Sequence, residues 1–446
     1  MEGILLLYVA MTVAIGVQAK ATTLENFILG ERLGTRDMVA TIVSTFYGAS
    51  SILGGVSLTY QIGLGAIWFM APFYFGNVLV VFLLHNIANS ERHTLPDFLG
   101  GFYGGRFAVA SSVLLATLCL IPEEIIAAGK ILAVFTSIPV EMAMIIMTLL
   151  LIVPVAIGGM KADVRTDVLQ FVLMLLTLSV VVPLAFMVSL RLGLTSGVPE
   201  GYLDPFAYMS AQEIAVFCVL LFFLPITSAP LYQRLFVSES EASSRKSVLY
   251  SVAIWIVIDS TIILCGFVAL QLFPHLEDPD MSLVLLGTAL PAVGRGIFYV
   301  GLLAAIMSTV NSFLQSGASS LAYDVFRYLR PTTSTGQLLA LSRFLVVLLG
   351  LLSLILALWF QMIVPALLFT LSMWTAGILV PTLAALIGWG LREDTALYSL
   401  LGGALSSLAW KIVQPFDVDA LFIGLGFSLI VAIASELLHK GRCPCQ

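Results

Sequence analysis

Long apolar stretches alternate with short polar linkers along the chain. A helix that crosses about 30 Å of hydrocarbon needs roughly 20 mostly apolar residues. Thirteen stretches approach this length: 3–18, 38–62, 64–89, 106–137, 140–158, 165–190, 211–235, 247–273, 294–328, 336–358, 361–390, 396–413 and 418–438. The pattern therefore predicts an all-α polytopic membrane protein with about 13 transmembrane helices, in which residues 1–446 form a single transmembrane domain.

The composition agrees with this prediction. Of the 446 residues, 60% are hydrophobic and only 10% are charged, and the mean hydropathy is +1.06. A soluble domain carries about 25% charged residues, so we expect this chain to lie in a lipid bilayer. A formal charge of −6 is small for the length and gives no reason to expect nucleic acid as a partner, and no obligate protein partner is evident.

The basic residues indicate an orientation. An odd number of helices places the two termini on opposite sides of the membrane. With the N-terminus outside and the C-terminus cytoplasmic, the cytoplasmic loops hold 16 of the 20 Lys and Arg residues, as the positive-inside rule requires. They are Lys20, Arg32, Arg36, Arg92, Arg106, Lys161, Arg165, Arg234, Arg245, Lys246, Arg327, Arg330, Arg343, Arg392, Lys440 and Arg442. We expect an integral protein of the cell membrane in this orientation.

Two of the predicted helices contain residues that weaken a helix. The second carries GASS at 48–51 and a Gly pair at 54–55, and the seventh carries PITSAP at 225–230. Gly and Pro disrupt the backbone hydrogen-bond ladder. The freed groups are tolerated inside a bilayer only where they are buried in protein or line a cavity. Paired interruptions therefore predict two discontinuous helices at the midplane site of an inverted-repeat transporter.

The two interruptions also divide the chain. If each falls in the first helix of a five-helix unit, the chain is a 5+5 inverted repeat. Its parts are a leading helix at 3–18, a first repeat at 38–190, a second repeat at 211–390 and two peripheral helices at 396–438.

A polar stripe runs along the ninth predicted helix. Helical spacing places six small or hydroxylated residues on one face: Ala305, Ser308, Thr309, Ser312, Ser316 and Ser319. Hydroxyl oxygens suit a hard, weakly held cation such as Na⁺. Small and hydroxylated residues are also typical of helix–helix contacts in membranes, so the stripe alone allows either an ion site or simple packing.

Among the ionisable residues of the predicted helices, four are expected at membrane depth. Glu123, Glu124 and Lys130 lie in the fourth helix, and Asp259 lies in the eighth. Such groups are costly at membrane depth and indicate function. Glu123 and Lys130 are on one face and could pair with each other. Alternatively, one of the carboxylates faces a substrate cavity and meets an amine or another cationic group.

Four short motifs occur in order along the chain. They are FILGERLG at 27–34, GGMK at 158–161 followed by TDVLQ at 166–170, YQRL at 232–235 and AAIMSTVNS at 304–312. Together they resemble the sodium:solute symporter family. The resemblance implies the leucine-transporter-type inverted-repeat fold and solute uptake coupled to Na⁺ entry.

The resemblance also implies where Na⁺ binds. A first site, between the first and eighth core helices, would use the carbonyls of Ser44, Tyr47 and Ala305 and the hydroxyls of Ser308 and Thr309. A second site, present in some members, would use Asp167, Ser308, Asn311 and Ser312. Asn311 departs from the Ser or Asp more usual there. Asp167 could instead pair with Arg165 or another loop base.

The solute is expected at the two interruptions. The residues expected around it are Gly48, Ser50, Ser51, Glu123, Glu124, Thr227, Ser228 and Asp259, with Trp374 as an apolar wall. Ala49 and Ser228 stand where the choline-transporting branch of the family has tryptophans. The proline-transporting branch has an Asp in its first core helix, and Ser50 occupies the nearest position in this chain. Neither substrate can therefore be transferred to this chain.

The sequence predicts a secondary active transporter and not an enzyme. It would carry a small organic solute into the cell by alternating access, with Na⁺ as the coupling ion and no other cofactor. Proton coupling through Glu123, Glu124 or Asp259 is the alternative. A channel would need a continuous polar pore and a membrane-embedded enzyme a catalytic cluster, and the pattern favours neither.

Cys443 and Cys445 give a weak metal or redox signal.

Overall fold

The structure, a computed structural model, describes residues 2–88, 90, 92–193, 198–414 and 416–440. Its first helices are α1 (Glu2–Gln18), α2 (Leu24–Ile28), α3 (Thr35–Phe46), α4 (Gly55–Ile62), α5 (Ile67–Ala88), α6 (Leu95–Tyr103), α7 (Gly105–Leu118), α8 (Pro122–Thr136) and α9 (Val140–Leu192). Those that follow are α10 (Ala211–Thr227), α11 (Ala229–Phe236), α12 (Glu241–Leu272), α13 (Met281–Leu286), α14 (Ala292–Ser320), α15 (Arg327–Leu329), α16 (Thr335–Phe360), α17 (Ile363–Leu386), α18 (Glu393–Val413) and α19 (Ala420–Lys440). Cys443 and Cys445 lie outside the described residues.

The predicted all-helical architecture is confirmed. In the part of the chain that the structure describes, ten helices are long and apolar enough to cross a membrane. Two of these spans, Ser50–Ile87 and Val140–Val188, each join stretches that the sequence pattern separates. The bend inside the second falls at Gly159, whose φ of 58° belongs to the left-handed region that glycine adopts without strain. The number of thirteen helices stays a prediction.

Helix α14 forms the centre of the bundle. Every residue from Phe298 to Ser320 is buried, so most of its polar stripe is shielded from bulk water. Small residues bring the neighbouring helices close. A Cβ added to Gly301 would meet the side chain of Thr177 on α9, and one added to Gly317 would lie 2.7 Å from the Cβ of Cys119. Hydroxyls on α14 must therefore find partners, or an ion, inside the protein.

The first interruption falls at the Gly and Ser residues at 48–51, as the sequence pattern predicts. Helix α3 ends at Phe46, Tyr47 leaves helical geometry with φ −105° and ψ 59°, and a π-helical turn at Ser50–Gly54 restarts the chain before α4. Gly48 is needed here because of space. A Cβ at this position would collide with Glu124 Oε1 and would lie 2.5 Å from the Thr309 hydroxyl.

The second interruption falls at Ser228. Its ψ of 106° ends α10 at Thr227, and α11 begins at Ala229 with Pro230 in its first turn. Proline fits there because the first helical N–H groups have no partner within the helix. The two discontinuous helices predicted from the sequence are confirmed.

A third interruption was not predicted. The pattern indicated one helix over 106–137, but α7 ends at Leu118 and α8 begins only at Pro122. Proline disfavours helical geometry in the residue before it, and Ile121 accordingly has φ −115° and ψ 62°. This break brings the start of α8 beside the first interruption.

The two discontinuous helices run past each other in opposite directions. The N–H of Leu33, just before α3, donates to the Val237 carbonyl at 2.9 Å, and the N–H of Glu239 donates to the Leu33 carbonyl at 3.1 Å. The start of α3 thus lies beside the end of α11. This is the relation expected of equivalent helices in an inverted repeat.

Candidate functional site

A cavity lies at the first interruption, in the middle of the bundle. It has about 810 Å³ of empty space, its opening included. Its polar lining is Thr45, Tyr47, Ser50, Ser51, Glu123, Glu124, Asp259, Thr309 and Thr370, and aromatic rings of Phe46, Phe69, Phe73 and Phe313 complete much of the wall. The cavity therefore collects side chains from both the discontinuous α3–α4 segment and the start of α8.

Glu124 binds the backbone at the first interruption. It is fully buried, and its Oε1 and Oε2 atoms accept hydrogen bonds from the N–H of Ala49 at 2.9 and 2.8 Å. Ala49 lies at the start of the π-helical turn, where N–H groups have no partner within the helix. A carboxylate from α8 thus satisfies backbone that α3 and α4 leave free, as anions do at helix N-termini.

Asp259 on α12 is held by two tyrosines. The hydroxyls of Tyr47 and Tyr74 donate to its Oδ1 and Oδ2 atoms respectively. Tyr47 is the last residue before the interruption, and its ring stacks on Trp255 with centroids 6.3 Å apart. Asp259 therefore fixes the point at which α3 ends.

Glu123 lines the same cavity, but its carboxylate is less fully hydrogen-bonded than those of Glu124 and Asp259. The residue is 4% exposed, and its Oε2 atom has no hydrogen-bond partner among the described residues. The pairing with Lys130 considered from the sequence is not formed. Lys130 instead lies 2.7 Å from Asp278 and 3.1 Å from Asp280, so it ties the segment before α13 to α8.

The residues expected at the first sodium site fall on two helices in direct contact. The Thr309 hydroxyl on α14 donates to the Thr45 carbonyl at 3.0 Å and lies 3.5 Å from the Ala305 carbonyl. Ser44 and Tyr47 flank Thr45 at the end of α3. The hydroxyl of Ser308 points to Asp167, 2.5 Å from its Oδ1. The Thr45 carbonyl was not expected from the sequence.

Two of the four residues expected at the second sodium site, Asp167 and Ser312, contact a guanidinium group. Arg234 Nη2 lies 3.2 Å from Asp167 Oδ2 and 2.6 Å from the Ser312 hydroxyl. The same nitrogen lies 3.0 Å from Asp163 Oδ2. Asn311 is buried, and its Oδ1 has no hydrogen-bond partner in the described chain. A fixed positive charge thus lies where the sequence indicated a bound ion.

The position of Arg234 corrects the sequence analysis. The residue was assigned to a cytoplasmic loop, but its side chain is completely buried. Its Nε donates to Thr41 at 2.8 Å and its Nη1 donates to the Pro230 carbonyl at 3.0 Å. Arg165, the alternative partner for Asp167, pairs instead with Glu31 at 3.3 Å.

Four of the residues expected around the solute do not line the cavity. Gly48 lies behind it, against Glu124 and Thr309. Thr227 and Ser228 are buried at the second interruption. Trp374 was expected as an apolar wall, but its indole N–H donates to the Thr227 carbonyl at 3.2 Å. It therefore satisfies backbone freed by the second interruption.

Several residues of the site were missed. Asp163 lies one helical turn before Asp167, and that spacing places both on one face. Thr45 and Tyr74 gave no signal, since a hydroxyl in an apolar segment usually bonds to its own helix.

Fold and site together define a class of protein: a secondary transporter with two discontinuous helices crossing at a central cavity. A model of the "Sodium:solute symporter family" matches residues 27–403. The chain belongs to this family. It is an integral membrane protein that couples the movement of a solute to Na⁺, and it is not an enzyme.

Individual relatives agree with this assignment. The chain is 26% identical to the sodium/pantothenate symporter of Escherichia coli (strain K12), over 74% of each chain. It is 25% identical to the sodium/proline symporter of Haemophilus influenzae, over 97% of this chain and 94% of the relative.

Solved structures share the fold. A Na⁺-coupled sialic acid symporter in a substrate-bound outward-open state is similar with a TM-score of 0.77 and 17% identity, over 100% of this chain and 98% of the other. A nucleobase-cation-symport-1 family transporter in a closed conformation is similar with a TM-score of 0.58 and 14% identity, over 93% and 95%.

Proposed function

We propose that Na⁺ binds where α14 meets the end of α3, and that it drives uptake of a small organic solute held in the adjoining cavity. The observation that carries this proposal is the position of Thr309. Its hydroxyl bonds to the Thr45 carbonyl, and the same residue lines the cavity. Ion and solute would share one residue, and in this proposal the bound ion favours binding of the solute, so the solute favours binding of the ion to the same extent.

The proposed sodium ligands are the carbonyls of Ser44, Tyr47 and Ala305 with the hydroxyls of Ser308 and Thr309. Oxygen ligands of this kind suit a hard cation. The Thr45 carbonyl is a further candidate, since it already accepts from Thr309 at 3.0 Å. Turning the two hydroxyls from their present acceptors towards an ion would supply the remaining oxygens.

We further propose that one Na⁺ accompanies each solute. Arg234 places its charge between Asp167 and Ser312, 3.2 and 2.6 Å away. These oxygens already bind the guanidinium group, so a second Na⁺ on them would have to displace it. The Na⁺ dependence of stabilisation should then follow a Hill coefficient of about one, and a coefficient of about two would contradict single-ion coupling.

Transport would follow alternating access. In this proposal, residues 38–190 and 211–390 are the two inverted repeats, which rock around the fixed midplane site. The protein would lie in the cell membrane with its N-terminus outside. The membrane potential would then add about 2.3 kcal/mol per charge per 100 mV to inward movement.

The experiment compares purified protein in NaCl and in KCl at equal ionic strength. Binding to the folded state raises apparent stability, so the unfolding temperature should be higher in NaCl. Thr309→Ala should reduce the difference, while Ser316→Ala, on the same stripe but bonded to Gln233 at 2.5 Å, should keep it. Equal unfolding temperatures in the two salts would contradict a sodium site.

Proton coupling remains the competing mechanism, because Glu123 has a buried oxygen without a partner in the described chain. Proteoliposomes separate the two mechanisms. Uptake that needs a Na⁺ gradient supports the proposal. Uptake that follows a pH gradient in the absence of Na⁺ would support proton coupling.

A further inference from the structure

We propose that the solute is an organic cation, a small molecule that carries an ammonium group on an apolar body, and that Glu123 is the residue that binds its charge. This inference rests on the proposed function, because it takes the central cavity as the solute site. It adds the chemical class of the solute and the residue that selects it.

The charge of the cavity is the first argument. Three carboxylates line it, those of Glu123, Glu124 and Asp259. Among the described residues that line it there is no Lys, Arg or His. Buried charges in membrane proteins are paired or functional. An anionic solute would meet repulsion here and find no cationic side chain to bind it.

The three carboxylates differ in how far their hydrogen-bonding capacity is used. Glu124 accepts from the Ala49 N–H at 2.8 and 2.9 Å, and Asp259 accepts from Tyr47 and Tyr74. Both therefore serve to hold the interruption in place. Glu123 is equally buried, yet its Oε2 atom has no partner among the described residues. A buried acceptor without a partner is costly, and an ammonium N–H would satisfy it once the Glu123 side chain turns this oxygen towards the cavity that the residue lines.

The remaining wall suits such a molecule. Phe46, Phe69, Phe73 and Phe313 line the cavity together with Tyr47. Aromatic faces attract cations as well as apolar groups. Phe46 and Phe73 lie with ring centroids 5.3 Å apart, and Phe73 lies 4.9 Å from the ring of Trp255. The aromatic cluster therefore has fixed neighbours and offers a preformed surface to an apolar body.

Three probes with the same apolar body test the class of solute: cyclohexylamine, cyclohexanol and cyclohexanecarboxylate. Their effect on the unfolding temperature of the purified protein is measured in NaCl and in KCl at neutral pH, up to about 10 mM, where millimolar affinities are detectable. We expect the ammonium to stabilise the protein in NaCl, the alcohol to do so at least tenfold more weakly, and the carboxylate to have no effect.

Variants test the role of Glu123. Glu123→Gln should weaken ammonium binding at least tenfold and leave stabilisation by Na⁺ alone in place. Glu123→Asp, which keeps the charge, should bind the ammonium better than Glu123→Gln does. Glu141→Gln, the same change at an exposed position on α9, should bind it as the unchanged protein does.

The outcomes distinguish the two proposals. Equal or stronger binding of the carboxylate, no shift with the ammonium, or full ammonium binding by Glu123→Gln would overturn the assignment of an organic cation. Ammonium binding of equal strength in NaCl and KCl would leave the solute class standing and contradict coupling to Na⁺.

Discussion

The hydroxyl of Thr309 donates to the main-chain carbonyl of Thr45 across the contact between α14 and α3, at 3.0 Å. The helix ends at the next residue, Phe46, and Tyr47 leaves helical geometry. A side chain of the central helix thus bonds to the last turn before the interruption. The affinity of an ion bound at this contact would depend on the position of that turn. Ion binding would therefore be coupled to the shape of the cavity.

Thr309→Ala should weaken Na⁺ binding about tenfold, because one oxygen ligand is lost and tenfold corresponds to about 1.4 kcal/mol. The Na⁺ concentration for half-maximal uptake measures the effect. Thr309→Ser keeps the hydroxyl and should behave much like the unchanged protein. If Thr309→Ala shows an unaltered Na⁺ dependence, the stripe on α14 is only a packing face.

Gly48→Ala should abolish uptake and Na⁺-induced stabilisation together. The added Cβ would overlap with Glu124 Oε1 and lie 2.5 Å from the Thr309 hydroxyl, so both residues would have to move. Gly426→Ala on α19, where a Cβ would have no neighbour within 4 Å, is the matched control. If Gly48→Ala retains both properties, Glu124 and Thr309 can move away from position 48 without loss of function.

Asp259→Asn should lower uptake by more than about tenfold while surface expression falls much less. The amide puts an NH₂ group in place of one carboxylate oxygen, so either Tyr47 or Tyr74 loses the acceptor that it now faces, and hydrogen bonds to charged groups contribute about 1.5–3 kcal/mol. Ser260→Ala is the control, since this hydroxyl bonds within its own helix to Ile256 at 2.7 Å. Normal uptake per molecule at the surface would refute the role given to Asp259.

Arg234→Gln should destabilise the protein by about 3–5 kcal/mol, because it leaves two buried carboxylates without their counter-charge. Thermal unfolding in detergent measures the change. Adding Asp163→Asn should restore part of the loss by removing one of those charges. Arg165→Gln, at an exposed pair with Glu31, should change stability by about 1 kcal/mol or less. An Arg234→Gln variant as stable as the unchanged protein would contradict the importance of this cluster.

Much of the fold was predictable because it follows from hydrophobic length and from backbone chemistry. Apolar runs defined the helices, and Gly and Pro marked the interruptions at Gly48 and Ser228. The break before Pro122 was missed, although the proline that causes it is visible, because the surrounding residues are apolar enough to continue a helix. Its detection needed the rule that proline restricts the preceding residue.

The site was only partly predictable, since its contacts join residues far apart in the chain. Arg234 was assigned to a loop because basic residues are usually at membrane surfaces. Its burial depends on Asp163 and Asp167, and nothing in the local sequence of α11 reveals that partnership. Likewise, Trp374 was expected beside the solute, but the backbone freed at Thr227 gives its indole N–H a partner.

Glu123 and Glu124 are neighbours in the chain with separate duties. One carboxylate accepts from the backbone N–H of Ala49, and the other belongs to a residue that lines the cavity and has a buried oxygen without a hydrogen-bond partner among the described residues. In the proposed role of Glu123, a substitution at this position would change solute selectivity and leave the contact between Glu124 and Ala49 in place. If Glu123 binds the solute as proposed, a directed-evolution library at this single position is a practical way to obtain transporters for other solutes.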